Sequence, residues 1–158
     1  MKKIVLFIFI ILLVGCTSKE QKVLESNYYS FIESTEKCVY DSEEVPPFDT
    51  TITLEVLNDN TLIYRMYLDN PKEDIYNIEA MIIHNKKTED IFPSSGLYEE
   101  KLNLVMDQKN KGYIKGIILN GYIDYTGDIN EVGTDFKVLV RYQDKFKINY
   151  EYCYYRHF

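Results

Sequence analysis

The sequence is short of the residues from which catalytic and metal sites are usually built. It has no tryptophan, only two histidines, and three cysteines that form neither a CxxC motif nor a Cys/His cluster. Seven glycines are scattered along the chain, and no glycine-rich phosphate loop, GxSxG or HExxH pattern occurs. Zinc sites, phosphate-binding loops and nucleophile motifs depend on these patterns. We therefore expect a protein that is not an enzyme and that holds no cofactor and no metal.

Long apolar segments are also missing, apart from residues 4–14. That run is well short of the roughly 20 residues that cross a bilayer, but it has the length of the apolar part of a signal peptide. Two lysines precede it, and Gly15 and Cys16 follow it. Residues 13–16, Leu-Val-Gly-Cys, resemble the lipobox of bacterial lipoprotein precursors. The resemblance implies cleavage before Cys16 and attachment of a diacylglycerol to its thiol; the alternative is a free thiol behind an ordinary signal peptide.

The predicted lipid at Cys16 gives the chain its expected location and layout. Two acyl chains hold a protein on a bilayer stably, whereas one gives only marginal binding. We predict a signal peptide at residues 1–15, a lipidated terminus and tether at 16–27, and one folded domain at 28–158. The domain would face the extracytoplasmic side of the cell membrane. Richness in Ile, Lys, Asn and Tyr is associated with AT-rich genomes and hints at a monoderm, Gram-positive host.

The charge of the chain restricts its partners. The formal net charge is −7, and residues 1–15 contribute two lysines and no acid, so the remainder is more negative still. Phosphate backbones repel such a body, which argues against nucleic acid as a partner. A basic protein would be attracted to it. We expect the partners to be the membrane, through the Cys16 lipid, and a protein or another envelope component.

Cys38 and Cys153 remain once Cys16 is assigned to the lipid. An even pair in an exported chain favours a disulfide, which would join the start of the domain to its end. The alternative is a pair of reduced thiols, because many monoderm bacteria secrete proteins with few disulfides.

Alternation of apolar and polar residues predicts strands along most of the domain. Residues 51–69 alternate on both sides of an Asn-Asp-Asn turn, which is typical of a hairpin. Further strands are predicted at residues 102–107, 113–125, 136–142 and 146–155.

Two segments fit both a helix and strands. Residues 70–87 fit either a capped helix or, as we favour, an isoleucine-rich strand from about residue 76 to 84, and residues 24–41 fit either an amphipathic helix or a hairpin.

About seven to eight strands with little helix predict an all-β fold, an antiparallel sandwich. The spacing of the strands between residue 51 and the C-terminus resembles that of the immunoglobulin-like domains of small bacterial surface lipoproteins. The tryptophan of antibody-type domains is absent. The resemblance implies an immunoglobulin-like sandwich without that core residue.

Three tyrosines in the last predicted strand are the candidate binding residues. Tyr150, Tyr152 and Tyr154 alternate along it and so share one face. Tyrosine suits protein or sugar recognition because it combines a large contact area with a polar tip. The alternative is that these rings pack the sandwich.

A partial calcium-loop pattern and the two histidines are the remaining features that could indicate a functional site. Residues 124–135 resemble a calcium loop only in part, because Ile129 occupies the glycine position and Asp135 replaces the final glutamate. We interpret this segment as a turn between strands. His84 and His157 fall at the ends of predicted strands.

The expected function is therefore binding without catalysis, by a lipid-anchored protein of unknown ligand. The alternative is an immunity or exclusion lipoprotein that neutralises a secreted basic toxin at the cell surface.

Overall fold

The computed structural model describes residues 21–58, 61–88, 90–106, 115–125 and 133–158. The predicted signal peptide and Cys16 lie outside these residues. So do residues 126–132 of the segment that we compared with a calcium loop.

One helix and eight strands make up the described fold. Helix α1 covers residues 21–36 of the described chain. The strands follow in the order β1 (Asp49–Asn58), β2 (Thr61–Asp69), β3 (Ile75–His84), β4 (Ser94–Ser95), β5 (Leu102–Leu104), β6 (Gly116–Asp124), β7 (Asp135–Gln143) and β8 (Asn149–His157).

The strands form two antiparallel sheets, which confirms the predicted all-β sandwich. One sheet has the order β1-β2-β6, and the other has the order β4-β3-β7-β8 with β5 also paired to β3. An immunoglobulin-like domain orders its strands A-B-E-D in one sheet and C-F-G in the other. The described triplets β1-β2-β6 and β3-β7-β8 follow the orders A-B-E and C-F-G. The hairpin predicted at residues 51–69 is the β1–β2 pair.

The main core lies between the two sheets. Strand β2 alternates as predicted, and its side chains Leu62, Tyr64, Met66 and Leu68 are all buried against the inward residues of β3, β7 and β8. Full burial of one such aliphatic side chain is worth about 1.5–3 kcal/mol. The polar residues of β2 point to the other face, away from the core, because successive side chains of a strand point to opposite faces of the sheet.

A second apolar cluster covers the outer face of the five-stranded sheet. Helix α1 directs Tyr28 and Phe31 at Met81, Ile83 and Leu139, the outward residues of β3 and β7. Strand β3 is therefore buried on both faces, which explains why its sequence lacks strict alternation. The structure resolves both ambiguous segments: residues 75–84 form a strand, as favoured, and residues 21–36 form a helix.

One boundary differs from the sequence prediction. The tether is predicted to end at residue 27, whereas residues 21–27 are helical and continue into the part of α1 that packs on the sheet. The sequence analysis also predicts no strand at Ser94 and Ser95, which pair with Met81 and Ala80 as β4. Two-residue strands give too short a pattern for alternation to be recognised.

The disulfide predicted between Cys38 and Cys153 is present, with the Cα atoms 5.3 Å apart. It attaches the end of α1 to the middle of β8.

The chain beyond the helix runs along the outer edge of β8. There the Ser42 N–H donates to the Cys153 carbonyl at 2.9 Å, and the Asp41 carboxylate accepts from the Tyr155 N–H at 2.8 Å. These bonds occupy backbone groups of an edge strand that would otherwise be open to pairing with another chain.

Within the described residues, no helix combines the length and apolar character needed to cross a membrane.

Candidate binding site

The three candidate tyrosines of β8 have different environments. Tyr152 and Tyr154 are 9% and 8% exposed and belong to the core between the sheets. Their assignment as binding residues is therefore corrected: they pack the sandwich, because the face of β8 that carries them points inward. Tyr150, at the start of the strand, is 36% exposed and is the member of the stripe that a partner can reach.

Tyr150 stacks on Tyr142 of the neighbouring strand. The two residues are directly paired in the β7–β8 register, and their rings lie 5.3 Å apart with an angle of 15° between the planes. Phe48 contacts the ring of Tyr142 edge-on at 5.5 Å. Offset and edge-on contacts of this kind add about 0.5–1.5 kcal/mol each beyond simple burial, so the pair is held in place from the core side.

Asp144 is positioned beside this pair by the turn that joins β7 to β8. Its Oδ1 accepts from the N–H groups of Phe146 and Ile148 at 2.8 and 2.9 Å. Lys147 adopts a positive φ of 65° within the same turn. The other carboxylate oxygen, Oδ2, accepts from the Tyr150 hydroxyl at 3.5 Å. An aspartate that caps its own turn in this way has little rotational freedom.

Two further carboxylates, Glu44 and Glu73, complete an acidic rim. Burial raises the pKa of Tyr142 to about 12, and the negative charges of Glu73, Glu44 and Asp144 act in the same direction. The pKa of Tyr150 is raised by partial burial and then by the same acids. A phenol is kept neutral when anions surround it. We call Tyr142, Tyr150, Glu44, Glu73 and Asp144 the acidic tyrosine site.

The chemistry of the acidic tyrosine site suits a bound cation. Tyr142 is 8% exposed, and its hydroxyl has no hydrogen-bond partner among the described residues. Aromatic rings and carboxylates attract an ammonium or guanidinium group together, through cation–π and charge interactions. Phenols with raised pKa values are poor general bases at neutral pH, so the arrangement favours binding over proton transfer.

A polar groove of about 380 Å³ adjoins the pair on the outer face of the sheet. Its charges are already matched: Lys101 contacts Glu79 at 2.8 Å, and Arg141 contacts Glu151 at 2.8 Å. Arg141 also lies over the Phe31 ring of α1 at 4.7 Å. Exposed ion pairs of this kind are worth about 0–1 kcal/mol each. The groove therefore offers no free charge comparable to that of the acidic rim.

Both histidines lie at strand ends, as predicted, since β3 ends at His84 and β8 ends at His157. His157 Nδ1 and the Tyr155 hydroxyl both contact Asp135 Oδ1 at 2.7 Å. In the part of the chain that the structure describes, no serine, threonine or cysteine is hydrogen-bonded to His157. The cluster ties the last strand to β7 and lacks the nucleophile that a catalytic triad requires.

No group of three His, Cys, Asp or Glu side chains among the described residues is arranged to hold a metal ion. Of the segment compared with a calcium loop, Asp124 ends β6 and Asp135 begins β7.

Comparison of the chain with protein-family models, with curated proteins and with solved structures found no match.

The sequence reasoning missed Tyr142, although a usable signal existed. Tyr142 and Tyr150 are spaced symmetrically about the polar turn between two predicted strands, and antiparallel pairing brings such positions face to face. Glu44 and Glu73 gave no comparable signal. They come from separate loops that only the folded chain brings to the end of the β7–β8 hairpin.

Proposed function

We propose that this protein is a lipid-anchored, non-catalytic binding protein on the extracytoplasmic side of the cell membrane. We further propose that its acidic tyrosine site binds a lysine or arginine side chain of a basic protein partner. The observation that carries the second proposal is a stacked tyrosine pair on which the negative charges of Glu44, Glu73 and Asp144 act together.

The proposed anchor depends on the lipobox sequence at residues 13–16. Cleavage before Cys16 would leave only residues 17–20 between the lipid and the first described residue of α1. A stretch of four extended residues spans at most about 14 Å, so the domain would stay close to the membrane surface. A partner would then meet it at the cell surface.

The negative charge of the chain supports a basic partner. The formal charge of −7 favours fast association with a cationic protein, and the effect weakens with salt because the Debye length is only about 10 Å at 0.1 M ionic strength. An immunity protein that neutralises a basic toxin is the more specific form of this proposal. A gene for a secreted basic toxin beside the gene for this chain would favour it.

Mass spectrometry of the membrane fraction tests the anchor. We expect the mature chain to begin at Cys16 and to carry a diacylglycerol on its sulfur, and the Cys16→Ala variant to lose both modifications. An unacylated chain with residues 1–15 intact would refute the anchor.

A pair of isosteric peptides tests the binding site. One carries an arginine, and the other carries citrulline, which has nearly the same shape without the positive charge. We expect the arginine peptide to shift the ring resonances of Tyr150 and Tyr142 in NMR spectra and the citrulline peptide to bind at least about tenfold more weakly, as loss of a charge-assisted hydrogen bond implies.

Two variants locate the binding. The triple variant Glu44→Gln, Glu73→Gln, Asp144→Asn should lose the preference for arginine. A matched variant with Glu33→Gln, Glu55→Gln and Asp124→Asn removes the same number of charges elsewhere and should keep it. Equal loss in both variants would mean that net charge alone drives binding, and the site would be wrong.

A further inference from the structure

A second cavity lies at the opposite end of the β3–β7 pair from the acidic tyrosine site. It has a volume of about 250 Å³ and is bounded by the end of β3, the edge of β6, Thr88 and residues 90–92. Its lining includes Tyr64, His84, Asp90, Phe92, Asn120 and Tyr122. We call it the His84 cavity. None of its residues belongs to the site described above.

Tyr64 brings a hydroxyl to the wall of this cavity. Its side chain is 1% exposed, and no residue in the described part of the chain hydrogen-bonds to its hydroxyl. The paired position on β6 is Gly121, where a Cβ atom would overlap the phenol. Glycine at this position therefore leaves room for the Tyr64 ring at the cavity wall. A ligand in the cavity can supply the hydrogen bond that this hydroxyl does not make with the described residues.

His84 supplies a second polar group. It is 7% exposed, and its Nδ1 accepts from the Lys86 N–H at 3.2 Å. Burial lowers the pKa of the imidazole, so the ring is neutral at pH 7. Because Nδ1 accepts a hydrogen bond, the neutral ring carries its proton on Nε2. That N–H donor has no acceptor among the described residues.

Aromatic side chains form the walls around these two groups. The ring of His84 lies 5.3 Å from Tyr64 and 5.2 Å from Phe92, edge-on in both cases. Thr88, Asp90 and Asn120 add hydroxyl, carboxylate and amide groups at the cavity. Among the described lining residues Asp90 carries a negative charge and none is lysine or arginine, while the positive charge of Lys86 acts on the neighbouring His84. With one charge of each sign at the cavity, neither an anion nor a cation is favoured over a neutral ligand.

We propose that the His84 cavity binds one neutral sugar ring. A pyranose offers hydroxyl groups that donate to Asp90 and Asn120 and accept from Tyr64 and His84, and its C–H faces pack against aromatic rings. The volume is below the roughly 300–1,000 Å³ of sites for drug-sized ligands, which fits a single ring and not a longer glycan. This proposal is independent of the acidic tyrosine site and of the lipid anchor.

NMR titration of the protein, purified in detergent from the producing cells, tests the proposal. The probes are D-glucose and N-acetyl-D-glucosamine, with glycerol 3-phosphate as the anionic and methylamine as the cationic comparison. We expect at least one sugar to give saturable shifts of the Gly121 and Asn120 amide signals at millimolar concentration. Absence of such shifts with both sugars, or tighter binding of the phosphate or the amine, would overturn the proposal.

Substitution of the two tyrosines of interest locates the binding without disturbing the core. Tyr64→Phe keeps the ring and removes only the hydroxyl, and we expect it to weaken sugar binding about tenfold, the effect of one lost hydrogen bond. Tyr76→Phe makes the same change near the other end of β3, where the hydroxyl donates to Asp74 at 3.4 Å, and should bind as the unmodified protein does. Equal affinity of the Tyr64→Phe protein and the unmodified protein would refute the assigned site.

Discussion

Cys38 and Cys153 join the end of α1 to the middle of β8 across 115 positions of the chain. Cys38 is 1% exposed and packs with Tyr28, Phe31 and Leu139 in the cluster beneath the helix. The bond thus closes nearly the whole domain into one loop and fixes α1 on the outer face of the sheet.

Loss of this disulfide should destabilise the domain strongly. We expect the double variant Cys38→Ser, Cys153→Ser to lose about 2–5 kcal/mol of unfolding free energy, as removal of native disulfides from small secreted domains does. Urea unfolding followed by circular dichroism measures the change. Addition of a reductant to the unmodified protein serves as the control and should move its midpoint in the same direction. Coincident unfolding curves for the variant and the oxidised protein would contradict a structural role for the bond.

Tyr150 and Tyr152 should respond differently to truncation. Tyr152 lies in the core, so Tyr152→Ala should cost about 3–5 kcal/mol of stability. Tyr150→Ala should cost only about 1 kcal/mol, the stacking contact with Tyr142, while it weakens binding of the arginine peptide. Denaturant unfolding and peptide titration of the same two proteins separate the effects. The prediction fails if Tyr150→Ala unfolds the domain or leaves peptide binding unchanged.

Asp135 should make the domain sensitive to acid. Hydrogen bonds from Tyr155 and His157 lower the pKa of Asp135 in the folded state, whereas the unfolded chain keeps a value near 3.8. The folded state therefore gains stability from this carboxylate above the unfolded pKa and loses it as the pH falls through the folded pKa. We expect Asp135→Asn to flatten the fall in stability below about pH 4. Thermal unfolding at several pH values measures this, with Asp69→Asn, at an exposed strand end, as the comparison. Equal acid profiles for the two variants would contradict the prediction.

Tyr142 should make the domain sensitive to alkali. Its pKa is raised to about 12 in the folded protein, from 10.0 for a free tyrosine, chiefly by burial and also by the acidic rim. Between these values the unfolded chain releases the proton and the folded chain retains it, so stability falls as the pH rises. Tyr142→Phe should reduce that fall. Tyrosinate absorbance measures the deprotonation, and thermal unfolding measures the fall in stability. The control is Tyr40→Phe, a substitution at a residue that is 81% exposed. An identical alkaline profile for both variants would contradict a raised pKa of Tyr142 in the folded protein.

The sequence predicted the strands well where one face of a strand meets the core and the other meets solvent. Strand β6 has this environment, and its burial alternates along the whole strand; β2 alternates in the same way except at Ile63, which is buried on the outer face. Strand β3 was ambiguous because α1 covers its outer face as well, so both sets of alternating positions are apolar. The helix itself was ambiguous because only a few of its side chains, among them Tyr28 and Phe31, face the sheet.

The candidate site was predictable only in part for a related reason. The alternating sequence predicts that Tyr150, Tyr152 and Tyr154 share one face of β8. It does not predict at which residue the opposite sheet ceases to cover that face. The core ends between Tyr152 and Tyr150, at the point where the chain leaves the sandwich for the β7–β8 turn.

The amino-acid sequence by itself determined the all-β class and the acidic net charge, and it favoured a disulfide between Cys38 and Cys153. These follow from local periodicity and composition, which do not depend on the path of the chain. The tertiary structure alone decided that Glu44, Glu73 and Asp144 surround Tyr142 and Tyr150, and that Tyr64 and His84 share a cavity. Such groups come from loops and strands far apart in sequence, and only the order in which the strands pair brings them within reach of one another.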